Sequence, residues 1–351
     1  MNASARLRAS FYGPDGPLGP APQDLRRIRR HTVATDVEAF NQKTALVPVN
    51  YAEYIKYCQE MRQPTISESG TSSDKSVFTI DPEPEPTSVR EQTWRMFTIF
   101  PYRDASWVTA ILFVVGSISF VINAFFASLP TLAPETEFPG EVLIGGTATL
   151  VSGAVLFTVG GTLGLIASWN ADKGEFEPGE KTEEGPTKTY KPALLGSKAW
   201  RWAPSGADLR GLLRTIPFQS ALIQFSGGMV LSVSIVGGWP GLLSHDNVLA
   251  MQILVYTPLS LGGLMFFFAN LSMLIWLQDR WYKPKFNSAP WQSAFWSSIG
   301  AFNFAVVGFS LFLGDIMSSI VATFIGSFTF LMGSIFQWYD LMAFHPDSWA
   351  A

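Results

Sequence analysis

The stretch MLIWLQDRWYKP (Met273–Pro284) decides the fold of this chain. In it an apolar run ends in a tryptophan, meets one acid and one base, and stops at a proline. Two other stretches end in a similar way, LIASWNADKG (Leu165–Gly174) and IFQWYDLMAF (Ile335–Phe344). Tryptophan and tyrosine are enriched where a membrane helix reaches the lipid headgroups, and charges begin where the lipid ends. The three endings therefore predict three helices that leave a bilayer on the same side.

The distribution of charge separates a polar segment from a series of apolar runs. Charged residues make up 15% of the chain, against about 25% in a typical soluble protein. A bilayer-spanning helix needs about 20 apolar residues, and a charge at its centre costs about 2.5–3.5 kcal/mol on insertion. Six runs are long enough and contain no Asp, Glu, Lys, Arg or His: 107–129, 143–169, 218–238, 249–277, 291–313 and 318–339. They predict six transmembrane helices.

The basic residues predict the orientation of these helices. All 24 Lys and Arg lie in the N-terminal segment or in the connections near 170–217 and 278–290. The other connections and the C-terminal tail have none. By the positive-inside rule these basic regions face the cytosol. The sequence therefore predicts cytosolic N- and C-termini, in an endomembrane or the plasma membrane.

The predicted fold is an all-α integral membrane protein of three helical hairpins (2+2+2). Short helices are expected at 35–44 and 49–62, and disorder over 64–92, where there is little apolar surface to bury. In chain order the predicted parts are a cytosolic N-terminal segment (1–104), hairpin one (105–172), a cytosolic loop (173–217), hairpin two (218–280), and hairpin three with a short cytosolic tail (281–351).

The three hairpins resemble one another. Gly153, Gly262 and Gly326 align on the returning helices, and an aromatic residue follows each about four positions later. Gly160 and Gly164 form a G-x-x-x-G pair. Small residues let helices approach closely in lipid, so these glycines are predicted to pack helices within the bundle. A homo-oligomer formed through the same faces is the alternative.

Tryptophans near the predicted helix ends are interpreted as interface anchors, because their amphipathic rings favour the headgroup region. The chain has 12 tryptophans, and most of them lie near such ends. The four assigned this role are Trp107, Trp276, Trp281 and Trp338. They make the lipid bilayer the first predicted partner.

The sequence carries little catalytic signal. Its one cysteine, Cys58, and its histidines, His31, His245 and His345, are far apart, whereas a metal site needs several such ligands together. The G-x-G-x-x-G, P-loop, G-x-S-x-G and H-E-x-x-H signatures are missing. We therefore expect no metal, no cofactor and no nucleic-acid partner, and favour a non-catalytic role.

Several polar residues are predicted to lie at membrane depth. Pro258 is expected to kink the fourth helix, and nearby hydroxyl and amide groups would then line a polar cavity. Interhelical hydrogen bonds are the alternative use of such groups. The five residues are Asn123, Thr257, Ser260, Asn270 and Asn303.

Asp340, at the end of the sixth run, is the candidate catalytic residue. A membrane cyclase acting on an apolar epoxide or olefin needs an acid in a dry cavity. An interfacial aspartate that is simply solvated is the alternative. Proton and ion carriers usually have acids or bases inside their membrane helices, and these six runs have none. A carrier for a hydrophobic metabolite is therefore still an alternative function.

Several segments resemble a family of fungal multi-pass integral membrane proteins. They are TLAPETEFPGE (Thr131–Glu141), KAWRWAPSGADLR (Lys198–Arg210), RWYKPKFNSAPWQSAFWSSIGAFNFAVVGFSLFLG (Arg280–Gly314) and ATFIGSFTFLMGSIFQWYDL (Ala322–Leu341). The hairpins also resemble YrhK-type membrane domains. The resemblance covers most of the chain, and the family has no assigned activity. Some divergent members look like the accessory membrane proteins of indole-diterpene mycotoxin gene clusters, of the paxilline and aflatrem type.

The resemblance implies an accessory protein that supports synthesis of a lipophilic secondary metabolite, together with other membrane-bound enzymes. The family pattern has Glu where each returning helix ends. Here these positions are Ala167, Trp276 and Asp340, so a function carried by those acids would be mostly lost. An integral-membrane enzyme similar to a terpene cyclase and a metabolite carrier are the alternative functions.

Overall fold

The computed structural model describes residues 88–342. Positions left out within that range are 172, 174, 183–184, 192, 245 and 279, and side chains are also not described at 142, 174–192 and 207. The helices predicted at 35–44 and 49–62, the histidines, Cys58 and the tail after 342 therefore lie outside the described residues.

Helix α1 (Val89–Thr98) begins inside the stretch predicted to be disordered. The Ser88 hydroxyl caps its first turn by accepting a hydrogen bond from a backbone N–H 3.2 Å away. The helix is held to the bundle through Met96, which is buried against Trp107 and Met342. The prediction of disorder over 64–92 is thus wrong for its last residues, because a cap and a tertiary contact together stabilise a helix there.

Six helices of the described part are long and apolar enough to cross a membrane, which confirms the predicted all-helical membrane fold. Two π-helical turns, Glu141–Gly146 and Gln252–Tyr256, lead into α3 and α7. The helices after α1 are α2 (Ala105–Leu132), α3 (Thr147–Asn170), α4 (Gly206–Leu212), α5 (Ile216–Gly237), α6 (Val248–Met251), α7 (Thr257–Trp276), α8 (Ala289–Phe312) and α9 (Ile316–Met342).

The spanning helices form a closed ring in chain order. Helix α2 packs on α3, α5 on α7, and α8 on α9, so each predicted hairpin is present. The hairpins also pack on one another, through α3 with α5, α7 with α8, and α9 with α2. Closure of the ring places part of each helix around a common axis.

A pair of glycines lies at the crossing point of each hairpin. Without a hydrophobic driving force between helices in lipid, close backbone contact supplies much of their association. A Cβ atom built on one glycine of each pair would lie 3.1, 3.0 and 3.1 Å from the carbonyl oxygen of the other. The pairs are Gly153 with Gly116, Gly262 with Gly227, and Gly300 with Gly326.

The remaining two glycines assigned to packing also contact the partner helix. A Cβ on Gly160 would lie 2.9 Å from the Phe113 ring, and one on Gly164 would lie 3.3 Å from the Thr109 methyl. All five predicted packing glycines therefore lie at contacts within their own hairpin.

The connection between α3 and α5 contains regular structure that the prediction of a loop over 173–217 did not include. Strands β1 (Glu175–Thr182) and β2 (Gly185–Lys191) pair antiparallel. Their register sets Glu175 opposite Lys191. Helix α4 follows, capped by Ser205.

The two ends of the ring differ in charge. We call the end where α2, α5 and α8 begin the basic end, because every Lys and Arg of the described residues lies there. We call the other end the acidic end. Its connections contain no Lys or Arg and carry Glu135, Glu137, Glu141, Asp246 and Asp315.

Candidate functional site

A central cavity of about 220 Å³ lies at the basic end of the ring. All six spanning helices contribute to its lining, and Ala193, Leu194 and Trp200 of the α3–α5 connection complete the wall. Ligand sites in helical bundles commonly form between the helices in this way. The cavity is thus the described feature to which all three hairpins contribute, and it is the candidate site.

The lining follows the repeat that relates the hairpins. Counted from the crossing glycines, equivalent positions of the three hairpins line the cavity on both the outgoing and the returning helices. The equivalent sets are Thr109, Ser220 and Ser293; Phe113, Gln224 and Ser297; Gly161, Asn270 and Ser334; and Gly164, Met273 and Gln337. The cavity therefore lies on an approximate three-fold axis, but its side chains are not equivalent.

Phenylalanines form the floor of the cavity. Phe157, Phe266 and Phe330 each come four residues after a crossing glycine, and all three line the cavity. The Phe330 ring lies 5.6 Å from Phe157 and 6.4 Å from Phe266 between ring centroids. These are the aromatic residues that the sequence repeat singled out.

A second layer closes the axis behind the floor. It consists of the residues four positions after the outgoing glycines, Phe120, Leu231 and Phe304, of which Phe120 contacts Phe157 at 5.1 Å. We call these six side chains the hydrophobic plug. No described residue of the second layer lines the cavity, so the cavity is confined to the basic end.

The polar walls are held by hydrogen bonds. The Ser220 hydroxyl donates to the Ala269 carbonyl at 2.7 Å, joining α5 to α7. The Gln224 amide donates to the Asn270 side-chain oxygen at 3.0 Å. The Asn270 amide in turn donates to the Phe266 carbonyl at 2.8 Å. These bonds fix the amide and hydroxyl groups at positions from which they can also contact a ligand.

The charged residues of the lining are both acids, Asp104 and Asp340. Asp104 caps α2 by accepting a hydrogen bond from the Ser106 N–H at 2.8 Å. Asp340 lies in the last turn of α9 and makes no hydrogen bond or ion pair within the part of the chain that the structure describes. The carboxylate of Asp340 is therefore available to a ligand.

Asn170, which the sequence interpretation did not select, holds the connection that forms the cavity wall. Its amide nitrogen donates to the Arg201 carbonyl at 2.7 Å, and the Arg201 N–H donates to its oxygen at 2.8 Å. The Trp169 indole donates to the same carbonyl at 2.9 Å. Asn170 is 1% exposed. The sequence signal for these hydrogen bonds was an amide side chain directly after an interfacial tryptophan.

An ion pair joins the same connection to the end of α3. The Lys173 ammonium lies 3.2 Å from the Asp208 carboxylate. The pKa of Asp208 lies below its ordinary value of 3.8, because the Ser205 side chain and then Lys173 hydrogen-bond to its charged form. This interaction lies outside the spanning helices and supports α4 beside the cavity.

Of the five polar residues predicted at membrane depth, only Asn270 lines this cavity. Asn123 donates to the Gly146 carbonyl at 2.7 Å, between α2 and the start of α3. The other three bond to carbonyls one turn earlier in the chain. Their distances are 2.7 Å for Thr257, 2.9 Å for Ser260 and 2.9 Å for Asn303.

The four tryptophans interpreted as anchors differ in exposure. Trp281 is 78% exposed, in the connection between α7 and α8. Trp276 and Trp338 are half-buried. Trp107 is 9% exposed and packs against α1 and the end of α9. The exposed ring of Trp281 is thus the one that best fits an anchor in contact with lipid headgroups.

No protein-family model, curated protein or solved structure matches this chain. What the cavity can bind or catalyse is therefore argued from its lining residues and their geometry. The described lining offers serine hydroxyls but no histidine or lysine that would activate one as a nucleophile. An apolar floor with a few placed polar groups is typical of a binding site for a small molecule.

Proposed function

We propose that this multi-pass membrane protein binds a small amphipathic molecule in its central cavity and acts without catalysis, as an accessory protein for the synthesis of a lipophilic metabolite. The observation that carries the proposal is the cavity itself, lined by all six spanning helices. Its floor of three phenylalanines suits the apolar part of a ligand, and its amide and hydroxyl walls suit the polar part.

The proposed setting follows from charge and from the resemblance of the sequence. The basic end faces the cytosol by the positive-inside rule, in an endomembrane or the plasma membrane. The cavity then opens toward the cytosolic side, where membrane-bound enzymes would be its partners. The resemblance to fungal integral membrane proteins, and to the accessory proteins of indole-diterpene clusters, supports a secondary-metabolite pathway of that kind.

Filling the cavity tests the proposal. Gly161 lines it, and a Cβ built there would have no neighbour within 4 Å. Gly161→Leu would therefore occupy the cavity without displacing backbone. Gly211→Leu is the matched control, because Gly211 also has open space but lies in α4, away from the cavity lining.

The measurement is the metabolite profile of strains that carry no gene, the wild-type gene or either variant. We expect Gly161→Leu to reproduce the profile of the deletion and Gly211→Leu to match the wild type, at equal protein levels. A deletion strain with unchanged lipophilic metabolites would contradict a role in such a pathway. A Gly161→Leu strain with the wild-type profile would show that the function does not depend on the cavity.

One observation favours an enzyme as a second candidate. Asp340 lies in the cavity with an unpaired carboxyl group, as the acid of a terpene cyclase-like enzyme would. In microsomes, an enzyme would lose product formation in Asp340→Asn while it still bound the precursor. An accessory protein would leave the chemical step intact in the presence of its partner enzymes.

A further inference from the structure

The charge of the cavity lining points to the class of its ligand. Asp104 and Asp340 line the cavity, and the described lining contains no Lys, Arg or His. Asp104 is engaged at the start of α2. Asp340 has no partner within the described residues. An unpaired carboxylate inside a helical bundle is unfavourable unless it is protonated or a cation compensates it.

Two basic side chains of the α3–α5 connection are engaged with another acid, Asp208. Lys173 is paired with Asp208 at 3.2 Å, and Arg201 lies 3.7 Å from the same carboxylate. Neither residue lines the cavity. No basic side chain of the described lining compensates Asp340, so a cation that enters the cavity would be a suitable counter-charge.

The spacing along α9 sets the shape of a suitable ligand. Phe330 is on the floor, and Asp340 lies ten residues later on the same helix, in its last turn at the basic end, which corresponds to roughly 15 Å along the axis. Ser334 and Gln337 line the wall between them. A ligand that reaches both ends would have its charge at one end and an apolar group at the other.

We infer that the cavity binds an organic cation, an amine whose ammonium group pairs with Asp340 and whose apolar group lies on Phe157 and Phe330. The walls contribute amide and hydroxyl oxygens that accept further hydrogen bonds from the ammonium group. The aromatic floor favours an aromatic or branched apolar group. This inference rests on the proposed binding function and names its ligand class.

The test compares three probes of equal apolar part: 4-phenylbutylamine, which is a cation, 4-phenylbutan-1-ol, which is neutral, and 5-phenylpentanoate, which is an anion. Binding to the full chain is measured by titration calorimetry in phosphatidylcholine nanodiscs, with partition into empty nanodiscs subtracted. We expect the amine to bind at least about tenfold more tightly than the alcohol, the advantage of a charge-assisted contact. The anion should bind most weakly.

Variants of Asp340 test whether this residue causes the preference for the amine. Asp340→Asn should equalise the amine and the alcohol while the affinity for the alcohol stays unchanged, and Asp340→Glu should keep the preference for the amine. Asp315→Asn is the matched control, because this aspartate is at the acidic end, where it caps α9 through Ser318. It should leave the preference intact. Thermal unfolding of each variant shows that its fold is retained.

The outcomes separate this inference from the function on which it rests. Equal binding of amine and alcohol to the wild type, or a preference that survives Asp340→Asn, would overturn the cation assignment. If the alcohol still binds and Gly161→Leu abolishes its binding, the cavity is a ligand site that does not prefer a cation. If no probe binds, the cation inference fails, and an unchanged metabolite profile in Gly161→Leu would remove the binding function as well.

Discussion

Gly263 of α7 lies directly against the backbone of Ala305 in α8. A Cβ built on Gly263 would lie 2.5 Å from the Ala305 nitrogen and 2.8 Å from its Cα. This crossing joins the second hairpin to the third, and it depends on a glycine because backbone cannot move aside as a side chain can. It is one of the contacts that close the ring.

Gly263→Ala should therefore destabilise the bundle. Overpacking of this kind typically costs about 1–3 kcal/mol, and the better helix propensity of alanine returns about 1 kcal/mol at most. The measurement is thermal or denaturant unfolding in mild detergent. Gly228→Ala is the control, since its Cβ would come no closer than 3.9 Å to the Phe266 ring. Equal stability of the two variants would contradict the tight crossing.

Asn170→Ala should loosen the wall of the cavity. It leaves the Arg201 N–H without its acceptor, and the Arg201 carbonyl keeps only the Trp169 indole, a loss of about 1–3 kcal/mol. Trypsin should then cleave after Lys198 and Arg201 about tenfold faster, because cleavage follows local opening. Asn303→Ala is the matched control, since its amide bonds only to a carbonyl of its own helix. Unchanged cleavage in Asn170→Ala would show that Asn170 does not hold the connection.

Acid should weaken the attachment of α4. The pKa of Asp208 is lowered in the folded protein from 3.8, first by Ser205 and then by Lys173. A lowered folded pKa means that the stabilisation is complete well above 3.8 and is lost as the pH falls below it. Asp208→Asn should lower the melting temperature slightly at pH 6, and the difference from wild type should vanish near pH 3. Glu135→Gln, an exposed change at the acidic end, should show no such convergence.

The orientation can be tested by cysteine labelling. In a Cys58→Ser background, Ser244→Cys places a thiol at the acidic end and Lys283→Cys places one at the basic end, both at exposed positions. In sealed microsomes, whose cytosolic face is outside, an impermeant maleimide should label Lys283→Cys at once. It should label Ser244→Cys only after detergent is added. The reverse pattern would place the basic end, with its cavity, on the lumenal side.

Part of the candidate site was visible in the sequence. The alignment of Gly153, Gly262 and Gly326, each followed by an aromatic residue about four positions later, marked one glycine of each crossing pair and the phenylalanines that form the cavity floor. That worked because a repeated hairpin places equivalent residues around one axis. Asp340 was also selected, as an acid at the end of an apolar run, with a solvated interfacial aspartate as the alternative. Asn170 was missed, because its partner Arg201 is 31 residues away in the chain.

The sequence by itself determined that six helices are long and apolar enough to cross a membrane and that they pair as three hairpins. Insertion depends on the summed apolarity of about 20 consecutive residues, which is a local property. Only the tertiary structure decided that the ring closes, that the plug fills its centre, and that Asp340 lies in a cavity. In lipid both faces of a helix are apolar, so hydrophobicity does not reveal which face points inward. Small-residue contacts such as Gly263 with Ala305 set that rotation, and they exist only once the helices have met.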